Sequence, residues 1–186
     1  VDSPVVFEWG DKVWRPKNFG KRFLGPITLR SALTHSVNVV TVKIAQEIGI
    51  GYIQDYARRL GISSSLQNNL SMALGSSNLS LYELTRAYAV FANQGKLFRP
   101  FLVKKILDRD GNLLEENLPP YASNETPDGN SILSAQTAYL MTNLLEGVVQ
   151  NGTGWKAKAL KRPVAAKTGT TDDFVDAWFI GYTPEL

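Results

Sequence analysis

Val164-Ala165-Ala166-Lys167-Thr168-Gly169-Thr170-Thr171, continued through Asp172-Asp173-Phe174 into Val175-Asp176-Ala177-Trp178-Phe179-Ile180-Gly181-Tyr182, is the stretch whose reading decides the fold. The first half, small and partly β-branched, reads as a strand. The second half is apolar and aromatic at both parities, which predicts a strand buried on both faces. Asp172 and Asp173 mark a tight polar turn between them. Two strands joined by so short a connection form an antiparallel hairpin. A hairpin alone is marginal in water. More strands are therefore expected after Leu186, and the chain reads as cut at that end.

Upstream of the hairpin the pattern is mostly helical. Ser134 can cap a helix from Ala135 to about Gln150, with Asn151-Gly152 as its stop. Ser80-Leu81-Tyr82-Glu83 is a capping box opening a helix from Leu81 to Gln94, ended by Gly95. Thr28 can cap a helix whose apolar residues Leu33, Val37, Val40, Ile44 and Ile48 recur at helical spacing up to Gly49. A break near Ser36, giving two helices, is the alternative. A shorter helix fits Tyr52 to Leu60, closed by Gly61, and a polar Ser/Asn-rich loop runs on to Ser80. Phe101 to Leu107 is strand-like, and Asp110-Gly111 is a hairpin turn signal. Tyr121 to Asn130 reads as a second polar loop, and Val1 to Pro26 as a loop broken by turn formers throughout. The fold class is α+β, within one domain.

Composition narrows the function. The 186 residues are 44% hydrophobic and 20% charged, ordinary for a globular chain with a sizeable core. The 20 Lys+Arg against 17 Asp+Glu leave a net charge of +3, without the concentrated basic stripe of a nucleic-acid binder. The small basic groups at Lys104-Lys105 and between Lys156 and Arg162 read as solvated faces. With no cysteine there is no thiolate metal site, disulfide framework or cysteine nucleophile. A single histidine, His35, excludes a multi-histidine zinc site and leaves little room for a Ser-His-Asp hydrolase. No apolar run reaches the ~18–20 residues that span a bilayer. No signal peptide is visible within these residues.

Two motifs carry chemistry. Lys167-Thr168-Gly169-Thr170 places a cation, two hydroxyls and an accessible backbone edge on one strand, a set suited to a carboxylate. It is not a phosphate loop, because Pro163-Val164-Ala165-Ala166 supply neither required glycine. Ser36-Val37-Asn38 offers a hydroxyl and an amide near a helix break. By itself it reads more simply as a capping serine with a polar neighbour. Asp172, Asp173 and Asp176 are read as turn carboxylates rather than a cation site. Trp178 and Phe179 are read as core.

An S-x-N triplet followed in chain order by K-T-G matches two parts of the S-x-x-K, S-D-N and K-T-G set of penicillin-interacting serine enzymes. The segment Ile27-Thr28-Leu29-Arg30-Ser31-Ala32-Leu33-Thr34-His35-Ser36-Val37-Asn38 resembles the S-x-N region of the class A penicillin-binding proteins. Ala87 to Gly95 resembles the helix between their motifs. Lys167 to Thr171 with Asp176 to Pro184 resembles their K-T-G strand and its neighbour. The resemblance runs from Pro16 to nearly the end of the chain. No S-x-x-K precedes Ser36, so the resemblance implies that the nucleophilic serine and its lysine lie outside this chain, which is then part of one transpeptidase domain cut at both ends.

What the resemblance implies is a penicillin-binding protein and serine β-lactamase-like transpeptidase fold. An antiparallel sheet is packed with helices, a helical lobe stands beside it, and the site lies in the cleft. The implied activity is a D,D-transpeptidase that cross-links peptidoglycan stem peptides through a serine acyl-enzyme and is inhibited by β-lactams. This segment alone is expected to be inactive. Ser36, Asn38 and Lys167 are the implied catalytic residues: Ser36 relays a proton, Asn38 bonds the substrate amide and Lys167 supplies charge. Thr168, Gly169, Thr170 and Thr171 are the implied substrate-binding residues. No metal and no cofactor is implied. The implied partners are the stem peptide on its lipid-linked glycan strand, β-lactam antibiotics and an upstream glycosyltransferase domain, with no nucleic acid. The implied location is the extracytoplasmic face of the bacterial inner membrane, on an N-terminal transmembrane anchor absent from this chain. A β-lactam sensor, a β-lactamase-type hydrolase and a non-catalytic scaffold are the alternatives.

Overall fold

The computed structural model describes all residues except 10, 11, 99, 101, 118–130, 172–175 and 186. The chain opens with a short hairpin of β1 (Phe7–Trp9) and β2 (Lys12–Trp14). Helices α1 (Leu29–Thr34), α2 (Asn38–Ile48) and α3 (Ile50–Arg59) follow. A 3-10 helix at Leu70–Leu74 precedes α4 (Leu81–Ala92). A second hairpin joins β3 (Lys105–Leu107) to β4 (Leu113–Glu116). Helix α5 (Ala135–Asn151) leads through a 3-10 helix at Trp155–Leu160 to β5 (Ala165–Thr170) and β6 (Ala177–Tyr182). The described strands form three two-stranded antiparallel sheets.

The helix starts are set locally, as expected. The Thr28 hydroxyl accepts from Ser31 N and opens α1. Ser80 and Glu83 form the full capping box of α4, and Ser134 accepts from Thr137 N at the head of α5. The long helix after Thr28 is broken, with α1 ending at Thr34 and α2 starting at Asn38. Ser36 sits in the gap with φ of 53°, a left-handed backbone that a non-glycine residue adopts only under constraint.

Several expectations need correction. The first segment holds the β1–β2 hairpin, where Phe7 faces Trp14 across the strands with ring centroids 5.7 Å apart. Strands of three residues are too short for alternation to show in sequence, and a cross-strand aromatic pair supplies the stabilisation instead. The Ser/Asn loop contains a 3-10 turn capped by Asn69. The strand after Phe101 begins only at Lys105. The loop from Tyr121 to Asn130 and the Asp172-Asp173 turn lie outside the described residues.

β6 is not buried on both faces. Trp178, Ile180 and Tyr182 are half-buried while Ala177, Phe179 and Gly181 are exposed, and Phe179 retains 50% exposure. The helices cover one side of the strand only: the Tyr182 hydroxyl meets Thr142 of α5 at 2.7 Å. Apolar composition at both parities therefore overstated its burial, and Phe179 is not core.

β5 is the strand that enters the core. Ala165 and Ala166 are buried, and Val164 and Ala166 pack on Val149 of α5. Ala32, Val37 and Val40 form a second cluster that ties α1 to α2. α5 also meets α1, and the meeting point is tight. A Cβ on Gly152 would run into the carbonyl oxygen of Thr34. The same carbonyl accepts from Thr153 N at 3.3 Å. Gly152→Ala is expected to force these backbones apart at a cost of about 3 kcal/mol. Urea unfolding of the variant checks this, and a midpoint unchanged from wild type would refute it.

Candidate active site

The two motifs found in the sequence meet. Lys167 Nζ donates to Ser36 Oγ at 2.9 Å, although 131 residues separate them. The break between α1 and α2 turns Ser36 toward β5, while the pairing of Lys167 with Ile180 fixes the lysine along that strand. Lys167 Nζ also donates to the Thr168 carbonyl at 2.7 Å. Among the described residues it forms no ion pair. The ammonium is thus held by two neutral oxygens in a half-buried position, and burial pushes its pKa below the usual lysine range.

This arrangement has a chemical consequence. Ser36 Oγ accepts from Lys167, so its own proton is not committed to that contact. A hydroxyl that can lose a proton outward and regain one from an adjacent ammonium can act as a relay.

Burial of Lys167 also sets a stability trend. Its folded-state pKa lies below the ordinary 10.5, so the charged form is penalised in the folded chain at low and neutral pH. The penalty is relieved as pH rises through the lowered value toward 10.5, because there the unfolded chain binds the extra proton. The wild-type chain is expected to gain stability relative to Lys167→Met over that window, measured by denaturant unfolding at a series of pH values. A difference independent of pH would rule this out.

The other sequence-predicted residues have separate placements. Asn38 opens α2, and its Nδ2 donates to the Lys17 carbonyl at 3.0 Å. The Thr168 hydroxyl lies 2.6 Å from that of Thr153. Gly169 pairs with Trp178, and the exposed Thr170 pairs with Ala177 at the end of the strand. The Thr171 hydroxyl accepts from Asp176 N at 3.0 Å and Thr171 N donates to Asp176 O at 3.1 Å. Thr171 thus ties the end of β5 to Asp176. His35 is exposed at the end of α1, and among the described residues no side-chain hydrogen bond joins it to the site.

Thr153 was missed by the sequence reading, which took Asn151-Gly152 only as a helix stop. No local signal marks it, because its neighbour Thr168 arrives from another element. Lys17 and Asn18 were missed for the same reason. Asn18 Oδ1 accepts from Val39 N at 3.1 Å. Among the described residues no three histidine or acidic side chains cluster as a metal site would need.

Comparison with known proteins fits this geometry. The family model for the penicillin binding protein transpeptidase domain matches residues 5–185. Penicillin-binding protein 1A of Neisseria meningitidis is 44% identical over 176 residues, covering 94% of this chain and 22% of that protein. Its counterpart in Rickettsia bellii is 39% identical over 202 residues, covering 100% of this chain and 26% of that protein. The chain thus spans about a quarter of the length of these relatives. Among solved structures, penicillin-binding protein 1A from Haemophilus influenzae superposes with a TM-score of 0.86 at 29% identity, over 97% of this chain and 32% of that one. An imipenem acyl-enzyme complex of penicillin-binding protein A from Mycobacterium tuberculosis shares the fold, with a TM-score of 0.77 at 21% identity over 96% of this chain and 44% of that one.

Proposed function

The chain belongs to the penicillin-binding protein transpeptidase family, and on that premise we propose that the protein it comes from is a D,D-transpeptidase of peptidoglycan synthesis working through a serine acyl-enzyme. The observation that carries this reading is the 2.9 Å contact between Lys167 Nζ and Ser36 Oγ.

The nucleophilic serine and its activating lysine are supplied by residues outside 1–186. Attack of that serine on the carbonyl between two terminal D-alanines forms an ester and releases the last D-alanine. Ser36 hands its proton to the departing amine and is reprotonated from Lys167. An amine of a neighbouring stem peptide then attacks the ester, forming the cross-link and freeing the serine. Asn38 bonds the amide of the donor peptide. Thr168 and Thr170 receive the terminal carboxylate on the face of β5, within the positive field of Lys167. Gly169 lets the peptide approach the strand edge closely, and Thr171 holds the end of the strand. The Thr170 N–H supplies half of an oxyanion hole whose other half belongs to the serine. A β-lactam enters as an imitation of the donor and stays as a stable acyl group.

The partners under this reading are the stem peptide on its lipid-linked glycan strand and an upstream glycosyltransferase domain. The site works at the extracytoplasmic face of the bacterial inner membrane, carried by an N-terminal anchor. Intact mass after exposure to benzylpenicillin tests it. The full-length protein is expected to gain one penicillin, and this chain by itself none. Labelling of the short chain would place a nucleophile within residues 1–186 and reassign Ser36 and Lys167. Absence of an adduct on the full-length protein would overturn the acyl-enzyme reading.

A further inference from the structure

We propose that Asn18, anchored on the buried carboxylate of Asp2, is a positioning residue for the turn Ser36-Val37-Asn38. The inference rests on the function proposed above for that turn.

α2 begins without a cap of its own. Val37, at its N-cap position, makes no side-chain hydrogen bond to the first turn. The first N–H groups of a helix need acceptors from elsewhere. One comes from 21 residues upstream, where Asn18 Oδ1 accepts from Val39 N at 3.1 Å. The neighbouring Lys17 carbonyl accepts from Asn38 Nδ2 at 3.0 Å. Two consecutive residues therefore hold both the backbone at the start of α2 and the carboxamide of Asn38.

Asn18 is itself fixed. Its Nδ2 donates to both oxygens of Asp2, at 3.0 and 2.9 Å, and to the Arg22 carbonyl at 2.9 Å. A carboxylate only accepts, so it compels the amide nitrogen to face Asp2 and the amide oxygen to face Val39. Asp2 is 1% exposed. Its Oδ2 also accepts from Leu24 N at 2.8 Å, and its backbone pairs with Gly25 in both directions at 2.8 and 3.0 Å. The clamp is thus tied at one end to the segment before α1 and at the other to α2.

The turn it holds is strained. Ser36 keeps φ at 53° one residue before Val37. Such a conformation persists in a non-glycine residue only while its surroundings enforce it. With the head of α2 released, Ser36 can relax to negative φ, which carries Oγ away from Lys167. Asn38 loses its fixed orientation in the same movement.

The test uses the full-length protein and its rate of acylation by benzylpenicillin. Asn18→Ala is expected to slow acylation about 100-fold, the scale of a misplaced catalytic group. The exchange Asp2→Asn with Asn18→Asp keeps an amide donor facing a carboxylate between the two positions and an acceptor toward Val39 N, gives up the bond to the Arg22 carbonyl, and is expected to restore part of the rate. Val90→Ala, which opens a cavity in α4, an element that supplies no residue of the turn or the clamp, is expected to lower stability and leave the rate unchanged. Wild-type acylation in Asn18→Ala, or equal slowing in Val90→Ala, would overturn the clamp. Should the wild-type protein take up no penicillin, the transpeptidase reading fails by itself. The clamp is then judged on hydrogen exchange at the Val39 amide, expected to be faster in Asn18→Ala and restored by the exchanged pair. Unchanged exchange would overturn it.

Discussion

Replacing Lys167 with alanine is expected to lower the acylation rate of the full-length protein by benzylpenicillin about 1,000-fold, the scale reached when a preorganised charge is removed from a reacting site. The alanine variant takes away the donor that Ser36 Oγ accepts from at 2.9 Å, so the hydroxyl has no adjacent source of a returning proton. It also removes the positive charge beside Thr168 and Thr170. Arginine is expected to recover little. Lys167 reaches Ser36 as a single point donor while bonding the Thr168 carbonyl at 2.7 Å. A planar guanidinium is longer and wider than an ammonium and would have to displace its neighbours to reach the same two oxygens in a half-buried site. The core under β5 is held by Ala165 and Ala166, so the chain should remain folded in both variants. Acylation of Lys167→Ala within tenfold of wild type would remove Lys167 from the chemistry.

A loss of stability as large as that at Gly152 is expected at Glu83, on α4, which supplies none of that chemistry. Glu83→Ala is expected to cost about 3 kcal/mol, because six hydrogen bonds to one buried carboxylate are lost together. For a chain of this size that is a fall in Tm of about 6–12 °C. Glu83 is 6% exposed. Its Oε1 accepts from Ser63 N, Ser63 Oγ and Ser64 N at 2.8, 2.8 and 2.7 Å. Its Oε2 accepts from Ser64 Oγ, Ser80 N and Ser80 Oγ at 2.7, 3.1 and 2.8 Å. One carboxylate thus joins the loop after α3 to the head of α4. The hydroxyls of Ser64 and Ser63, followed by the bonds from Ser80, hold its pKa far below the ordinary 4.5. The stabilisation is complete above 4.5 and is lost only as pH falls through the lowered folded-state value. Glutamine is expected to rescue poorly, since its amide nitrogen would meet donors. Thermal unfolding at neutral pH checks both variants, and a Glu83→Gln chain as stable as wild type would dispose of the argument.

These two residues differ in how much of their role could be read from the chain. Glu83 was legible as half of a capping box, because Ser80 lies three residues away and the motif is local. Its grip on Ser63 and Ser64 was not, since nothing near those serines names a distant acceptor. Lys167 was legible as a motif residue beside Thr168, Gly169 and Thr170, and Ser36 as a hydroxyl at a helix break. Thr153, Asn18 and Asp2 carried no such signal. Each is an ordinary loop residue until the fold sets Thr153 against Thr168, Asn18 against Val39 and Asp2 against Asn18. β6 misled for a related reason: its alternating burial depends on which side the helices cover, and both sides of the strand are apolar in sequence.

By itself the sequence determined the helix starts at Thr28, Ser80 and Ser134, the β5–β6 hairpin and the identity of the reactive motifs, and left the break near Ser36 as an alternative that the structure settled. All of these are set by interactions within a few residues, through hydroxyl caps, side-chain periodicity and turn chemistry. Only the tertiary structure decided that Lys167 rests on Ser36, that Thr153 stands beside Thr168 and that Asn18 caps α2 from 21 residues away. Those contacts form when α1 and β5 both pack against α5 and the segment before α1 folds onto the head of α2, and packing is a property of surfaces brought together rather than of neighbours along the chain.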